Sequence, residues 1–181
     1  VVILAVKPSQ MKPVCESLAM ILAQHNPVLI SIAAGILVSQ IHRWLNYDAQ
    51  LIRMMPNTPA LCGAGATGIY TPSTVSDSIK QLAFNFASFF GFATFVQEES
   101  ELHLLTAVSG SGPAYFLYLS EAIIEGAVQL GMSESTAQAL VKHTLHGSAQ
   151  LLFNTGKSPQ QLRKEISSPN GVTERAISIL E

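Results

Sequence analysis

A parallel α/β sheet followed by an all-helical region is the architecture this sequence predicts, and three observations carry it. Short apolar β-type runs alternate with segments of helical period as far as residue 97, after which every long segment has helical spacing. The joints between the early runs are short, as in successive βαβ units. Over 181 residues 48% are apolar and only 12% charged, against roughly 25% in an ordinary domain, so a sizeable core is available and some surface is expected to be covered.

Residues 1–6 are a bare apolar run that reads as a buried parallel strand. No initiator Met, basic n-region or small-residue cleavage site accompanies it, so it is not a signal peptide, and the fold is expected to begin upstream of it. Residues 9–24 space Met11, Val14, Leu18, Ile21 and Leu22 by three and four, one face of a helix. A strand follows at 28–33, a helix at 37–45, a strand at 51–54 and a loop rich in Pro and Gly. A strand at 67–70, a helix near 77–90 and a strand at 93–96 complete the α/β part.

Beyond residue 97, residues 113–130 are apolar on nearly every side, with Gly131 as the stop; this helix reads as buried all round, with Tyr115 and Tyr118 in the core. Ser133 caps the next helix, whose apolar face carries Ala137, Leu140, Val141, Leu145 and Leu151 before Gly156 ends it. Ser158-Pro159-Gln160-Gln161 is a capping box with Pro at the first helical position, and a last helix starts at Val172. The division falls at 97, giving an α/β part over 1–97 and a helical part over 98–181. Two helices of buried type are too many for so small a bundle to cover, so a partner subunit is expected to pack on them.

Several functions are excluded. A net charge of −2 and a pI near 6.2, with no Lys/Arg stripe, offer nothing to nucleic acid or an anionic membrane surface. Residues 17–42 and 54–76 lack charge, but Gln24-His25-Asn26-Pro27 breaks the first, and Pro56, Pro59 and Pro72 break the second, so neither is a membrane span. Cys15 and Cys62 form neither a disulfide framework nor a zinc motif and read as small apolar fillers in a reducing cytoplasm. His143 and His146 lie one turn apart without a third ligand, so no metal is expected.

Ligands of open parallel sheets bind at the carboxyl ends of strands, here Ala5-Val6-Lys7-Pro8, Ala33-Ala34-Gly35 and Met55-Pro56-Asn57-Thr58-Pro59. Small residues admit a flat ring or a ribose, and Asn57 and Thr58 offer hydrogen bonds; ordinary turns are the alternative. No G-x-G-x-x-G follows a first strand. Ser109-Gly110-Ser111-Gly112-Pro113 and Ser168-Pro169-Asn170-Gly171-Val172-Thr173 each precede a helix, where N–H groups and hydroxyls cradle an anion or merely cap the helix; in the second, Gly171 is free to take a positive φ. Glu98, Glu99 and Glu101 read as a solvated helix start.

Taken in order, Ala5-Val6-Lys7-Pro8, Ser31-Ile32-Ala33-Ala34-Gly35, Met55-Pro56-Asn57-Thr58-Pro59, Ser109-Gly110-Ser111-Gly112-Pro113-Ala114-Tyr115 and Ser167-Ser168-Pro169-Asn170-Gly171-Val172-Thr173 resemble the pyrroline-5-carboxylate reductase family over nearly the whole chain. The resemblance implies a Rossmann-like parallel sheet, partial here because its first βαβ units, on the order of 60 residues, are missing, followed by an all-α dimerisation domain. It implies a cytoplasmic homodimer or ring of dimers that reduces 1-pyrroline-5-carboxylate to L-proline with NADPH or NADH. Ala5, Val6, Lys7, Pro8, Ala33, Ala34 and Gly35 would line the nicotinamide nucleotide, with Asn57 nearby. Ser168, Gly171, Val172 and Thr173 would hold the substrate carboxylate, with Thr173 at the ring nitrogen as the catalytic residue and Glu99 as an acidic neighbour. The sequence departs from the family at Asn170, usually Gly, where Asn tolerates the left-handed conformation, and at Val172-Thr173-Glu174. A 3-hydroxyacid dehydrogenase-type enzyme would need a lysine within 113–130, which has none; a non-catalytic dimerising or nucleotide-sensing module is the other alternative.

Overall fold

In the computed structural model, which describes residues 1–181, five strands form one sheet in the order β1-β2-β3-β4-β5. β1 (Val2–Leu4), β2 (Leu29–Ser31) and β3 (Leu51–Met55) are parallel; β4 (Gly65–Tyr70) runs antiparallel to β3, and β5 (Gly91–Phe95) parallel to β4. The predicted fold class holds, a mostly parallel sheet followed by helices. Its one reversal has a simple cause. Residues 56–64 are fewer than the dozen or so that a parallel crossover requires, so β4 returns beside β3 in the opposite sense.

Alternation along the strands sends residues to two cores. Leu29 and Leu51, paired in register, join Leu4 against Met11, Cys15 and Leu22 of α1 (Pro8–His25) and Ile41 and Leu45 of α2 (Val38–Leu45). Ile30 and Ile52, also paired, face the other way with Met54 and Ile69 onto Ala83 and Ala87 of α3 (Asp77–Ser88). β1 departs from its expected burial. It is the outermost strand, only Leu4 is buried, and Ile3 is 44% exposed.

Two compact units are present, Val1–Phe116 and Leu117–Glu181. The first extends past residue 97 because α4 (Glu101–Leu105) packs on β3 and β4, with Leu102 buried and Leu105 so close to Gly68 that a Cβ there would collide with it. A π-helical turn, Thr106–Gly110, continues α4 into α5 (Gly112–Gln129).

The second unit holds the remainder of α5, α6 (Glu134–Thr155), α7 (Pro159–Ile166) and α8 (Val172–Leu180). The local stop and start signals are where the sequence places them. Ser133 Oγ accepts the Thr136 N–H at 3.3 Å, Ser158 and Gln161 form the reciprocal capping box, and Gly131 and Gly156 take φ of +99° and +64°. The expected all-round burial of α5 is not met within one chain. Tyr115, Leu117 and Tyr118 are all more than half exposed, so the two tyrosines are not core residues of the lone chain.

Candidate active site

β1, β2 and β3 are parallel, so the segments that leave their carboxyl ends emerge along one edge of the sheet. At β1, Lys7 is the N-cap of α1 and Pro8 occupies its first turn; Ala5, Lys7 and Pro8 are exposed while Val6 packs partly onto the core. At β2, Ala33 is buried, Ala34 half-buried, and Gly35 adopts φ +75° with open space where a Cβ would project. Apart from Lys7, the edge therefore presents short side chains, with open space at Gly35, which suits the close approach of a flat ring and its ribose.

Asn57, at the end of β3, does more than border this edge. Its Oδ1 accepts the Ala66 N–H at 2.8 Å and its Nδ2 donates to the Ser109 carbonyl at 2.9 Å. The amide thus ties the β3 loop to β4 and to the π-turn. Within that turn the Ser111 N–H reaches back to the Thr106 carbonyl at 2.8 Å, the five-residue step that defines it. The Thr106 and Ser109 hydroxyls donate to the carbonyls of Leu102 and Leu105, so Ser109 closes its own helix and does not stand at a free helix start.

Glu99 is not a solvated helix-start residue. Its Oε1 accepts the Val38 N–H at 2.7 Å and the Arg53 guanidinium at 3.0 Å, and the Arg53 side chain is 3% exposed. Arg53, the buried partner of Glu99, is the residue beside the candidate site that sequence reasoning overlooked, although a lone charge inside the apolar strand Leu-Ile-Arg-Met-Met was a usable signal. Next to it, the Tyr70 phenol is pushed above its ordinary pKa by burial first and then by the carboxylates of Glu99 and Glu98.

The Ser168–Thr173 segment lies in the second unit. Asn170, not Gly171, takes the left-handed conformation, at φ +59°, as its residue type allows. Gly171 has φ −82° and caps α8 with no side-chain hydrogen bond; it is required by space, since a Cβ there would sit 2.9 Å from the Ser168 carbonyl oxygen. Glu174 Oε2 accepts the Asn170 N–H at 2.6 Å and holds the loop closed. Val172 and Thr173 are the first two helical residues, whose N–H groups lie outside the intrahelical ladder, with Val172 exposed and Thr173 half-buried. The result is a helix start with donors and two hydroxyl-bearing residues, Ser168 and Thr173, suited to a carboxylate.

His143 and His146 belong to no group of three or more His, Cys, Asp or Glu residues able to hold a metal. The cysteines differ from expectation in one respect: Cys15 is a buried filler, but Cys62 is exposed, its Sγ 3.2 Å from the Pro59 carbonyl.

The family model for pyrroline-5-carboxylate reductase dimerisation matches residues 99–181. The chain is 42% identical over 177 residues to the pyrroline-5-carboxylate reductase of Pseudomonas aeruginosa, covering 98% of this chain and 64% of the relative. It is 34% identical over 182 residues to that of Haemophilus influenzae, covering 100% and 67%. The chain belongs to the pyrroline-5-carboxylate reductase family. Among solved structures of that family, one from Coxiella burnetii superposes with a TM-score of 0.87 at 41% identity over 99% of this chain and 67% of the other. The pyrroline carboxylate reductase of Plasmodium falciparum, solved with NADP bound, superposes with a TM-score of 0.89 at 28% identity over 98% and 71%. The chain thus spans about two thirds of the length of these members of the family. No helix is long and apolar enough to cross a membrane.

Proposed function

We propose that the protein reduces the C=N bond of 1-pyrroline-5-carboxylate to L-proline with NADPH or NADH, the closing step of proline biosynthesis, in the cytoplasm. The observation that carries this reading is the order of the five motifs on a fold shared with pyrroline-5-carboxylate reductases at up to 42% identity. The short side chains at Ala5, Val6, Pro8, Ala33 and Ala34, the open space at Gly35 and the exposed ammonium-bearing chain of Lys7 beside them fit a nicotinamide nucleotide, and a structural neighbour solved with NADP supports that cofactor. The nucleotide, when bound, supplies the hydride.

The chain's own residues bind and orient. In this reading the N–H groups of Val172 and Thr173, with the Ser168 hydroxyl, take the substrate carboxylate, and Gly171 leaves the space for the loop that does so. The Thr173 hydroxyl meets the ring nitrogen and fixes the proton there; a cyclic imine is basic enough to arrive partly protonated, so positioning and exclusion of water are the larger tasks. A homodimer is part of the proposal. The match to the dimerisation family model and the exposed apolar side chains Leu117, Tyr118, Leu119 and Ile123 on α5 support it.

Oxidation of NAD(P)H with pyrroline-5-carboxylate, followed in this chain and in a chain extended to the length of its relatives, tests the reading. Turnover in the extended chain is expected; none in either form would favour a non-catalytic dimerising module. Thr173→Ala in the active form should lower kcat/KM by the equivalent of about 1–3 kcal/mol, one site hydrogen bond, and unchanged kinetics would remove Thr173 from the mechanism.

A further inference from the structure

The N-terminus of α2 is capped from a distance. Its N-cap position is Leu37, whose side chain accepts no hydrogen bond, and the Leu37 N–H is satisfied by Gln40 Oε1 at 2.8 Å. The next N–H, that of Val38, goes to Glu99 Oε1 at 2.7 Å, across 61 residues of sequence. The same oxygen accepts from Arg53 Nη1 at 3.0 Å. Arg53 is enclosed in β3 between its register partners Ser31 of β2 and Tyr70 of β4, and a guanidinium that buried requires its counter-charge. Glu99 is therefore anchored and cannot swing away to a ligand without leaving Arg53 unpaired.

Val38 follows the Ala33, Ala34 and Gly35 turn after only Ile36 and Leu37. The upstream end of that turn is held as well, by the Ile32 N–H to the Leu4 carbonyl at 3.2 Å and the Ala33 N–H to Ser31 Oγ at 3.4 Å. Between these fixed ends Gly35 carries the left-handed conformation. We propose that Glu99 is a positioning residue for the nucleotide loop: its carboxylate, anchored by Arg53, sets the Ala33–Gly35 turn through the first N–H of α2 and does not touch the imine substrate. This rests on the reductase reading for what the loop binds, but the clasp itself is a property of the fold.

Steady-state kinetics and amide hydrogen exchange on the same protein, extended to its relatives' length, test the proposal. Glu99→Gln retains an oxygen for Val38 but loses the charge that holds Arg53. It should raise KM for the nicotinamide nucleotide fivefold or more while leaving KM for pyrroline-5-carboxylate within twofold. The reverse pattern, a raised substrate KM with the nucleotide KM unchanged, would overturn the proposal and return Glu99 to the substrate. Exchange at residues 33–38 should quicken about tenfold in Glu99→Gln and in Arg53→Met, with the double variant no faster than the quicker single one. Unchanged exchange in a folded Glu99→Gln variant would also overturn it. A wild-type protein that turns over no pyrroline-5-carboxylate would defeat the reductase reading alone, since the exchange result would still decide whether the clasp holds the turn.

Discussion

Both compact units are rich in apolar residues, and they differ sharply in how those residues are buried. Within Val1–Phe116 the sheet closes on two cores, and residues such as Met11, Leu29, Ile30, Ile52 and Ile69 have no solvent exposure at all. Beyond Phe116 only one apolar residue, Ala137, is buried, while Leu117, Tyr118, Ile123 and Phe153 lie at the surface of the chain. A sheet flanked by helices on both faces can satisfy its apolar residues within one chain. Helices apolar around most of their circumference cannot, and the proposed homodimer is what would bury them.

The largest expected effect sharpens this contrast. Ile52→Ala, at a fully buried position, should cost about 2–5 kcal/mol in urea unfolding followed by the fluorescence of Trp44, the one tryptophan, which packs on the first core. Leu117→Asp, at a position 63% exposed, should leave that transition within about 0.5 kcal/mol and instead lower the sedimentation mass to that of a monomer. Equal losses of unfolding free energy in the two variants would break the comparison, because the helical unit would then be supporting the core of the sheet unit.

How far the sequence reveals this molecule follows the range of the interactions involved. Helix limits set by neighbours in the chain are legible: Pro8 opening α1, the capping box at Ser158, and the glycines at 131 and 156. The reversal at β4 is not, because the strand limits read from the sequence, 51–54 and 67–70, leave a loop long enough for a parallel crossover, and only the observed limits shorten it. The Glu99 clasp is not, because its partners lie 61 and 46 residues away and no local pattern encodes them. The π-turn escapes for a related reason. Its register depends on Ser109 being held by Asn57, 52 residues upstream, and a helical period alone cannot show a one-residue slip. For the candidate site, the loops were legible as strand ends and helix starts, whereas their assignment to nucleotide and substrate came from the order of the motifs.

A smaller effect separates backbone demand from space demand in the Ser168–Thr173 loop. Asn170→Gly should be neutral or slightly stabilising at φ +59°, whereas Asn170→Ala should cost about 1–2 kcal/mol locally. Gly171→Ala meets a different obstacle, the Ser168 carbonyl, at a φ that any residue adopts. Thermal scans of the three variants should therefore leave Asn170→Gly near wild type and lower the other two; a loss in Asn170→Gly as large as in Asn170→Ala would show that the Asn side chain, not its backbone, matters there.

The smallest effect uses the two thiols, both in the sheet unit, as reporters that leave the helical unit untouched. Cys15 has no exposure, and burial, then the neighbouring Glu16 carboxylate, pushes its thiol above the ordinary 9.0. Because the folded state holds that proton more tightly than the unfolded chain, the associated stability is intact below pH 9.0 and declines as pH rises through the folded value. Cys62 is exposed and should react promptly with a thiol reagent, one equivalent per chain in the native state. The second equivalent should appear only as the sheet unit opens, at a rate unaffected by Leu117→Asp and accelerated by Ile52→Ala. Prompt labelling of both cysteines in the native protein would mean that the first core is open on the timescale of the reagent, and the sheet unit would then be no better closed than the helical one.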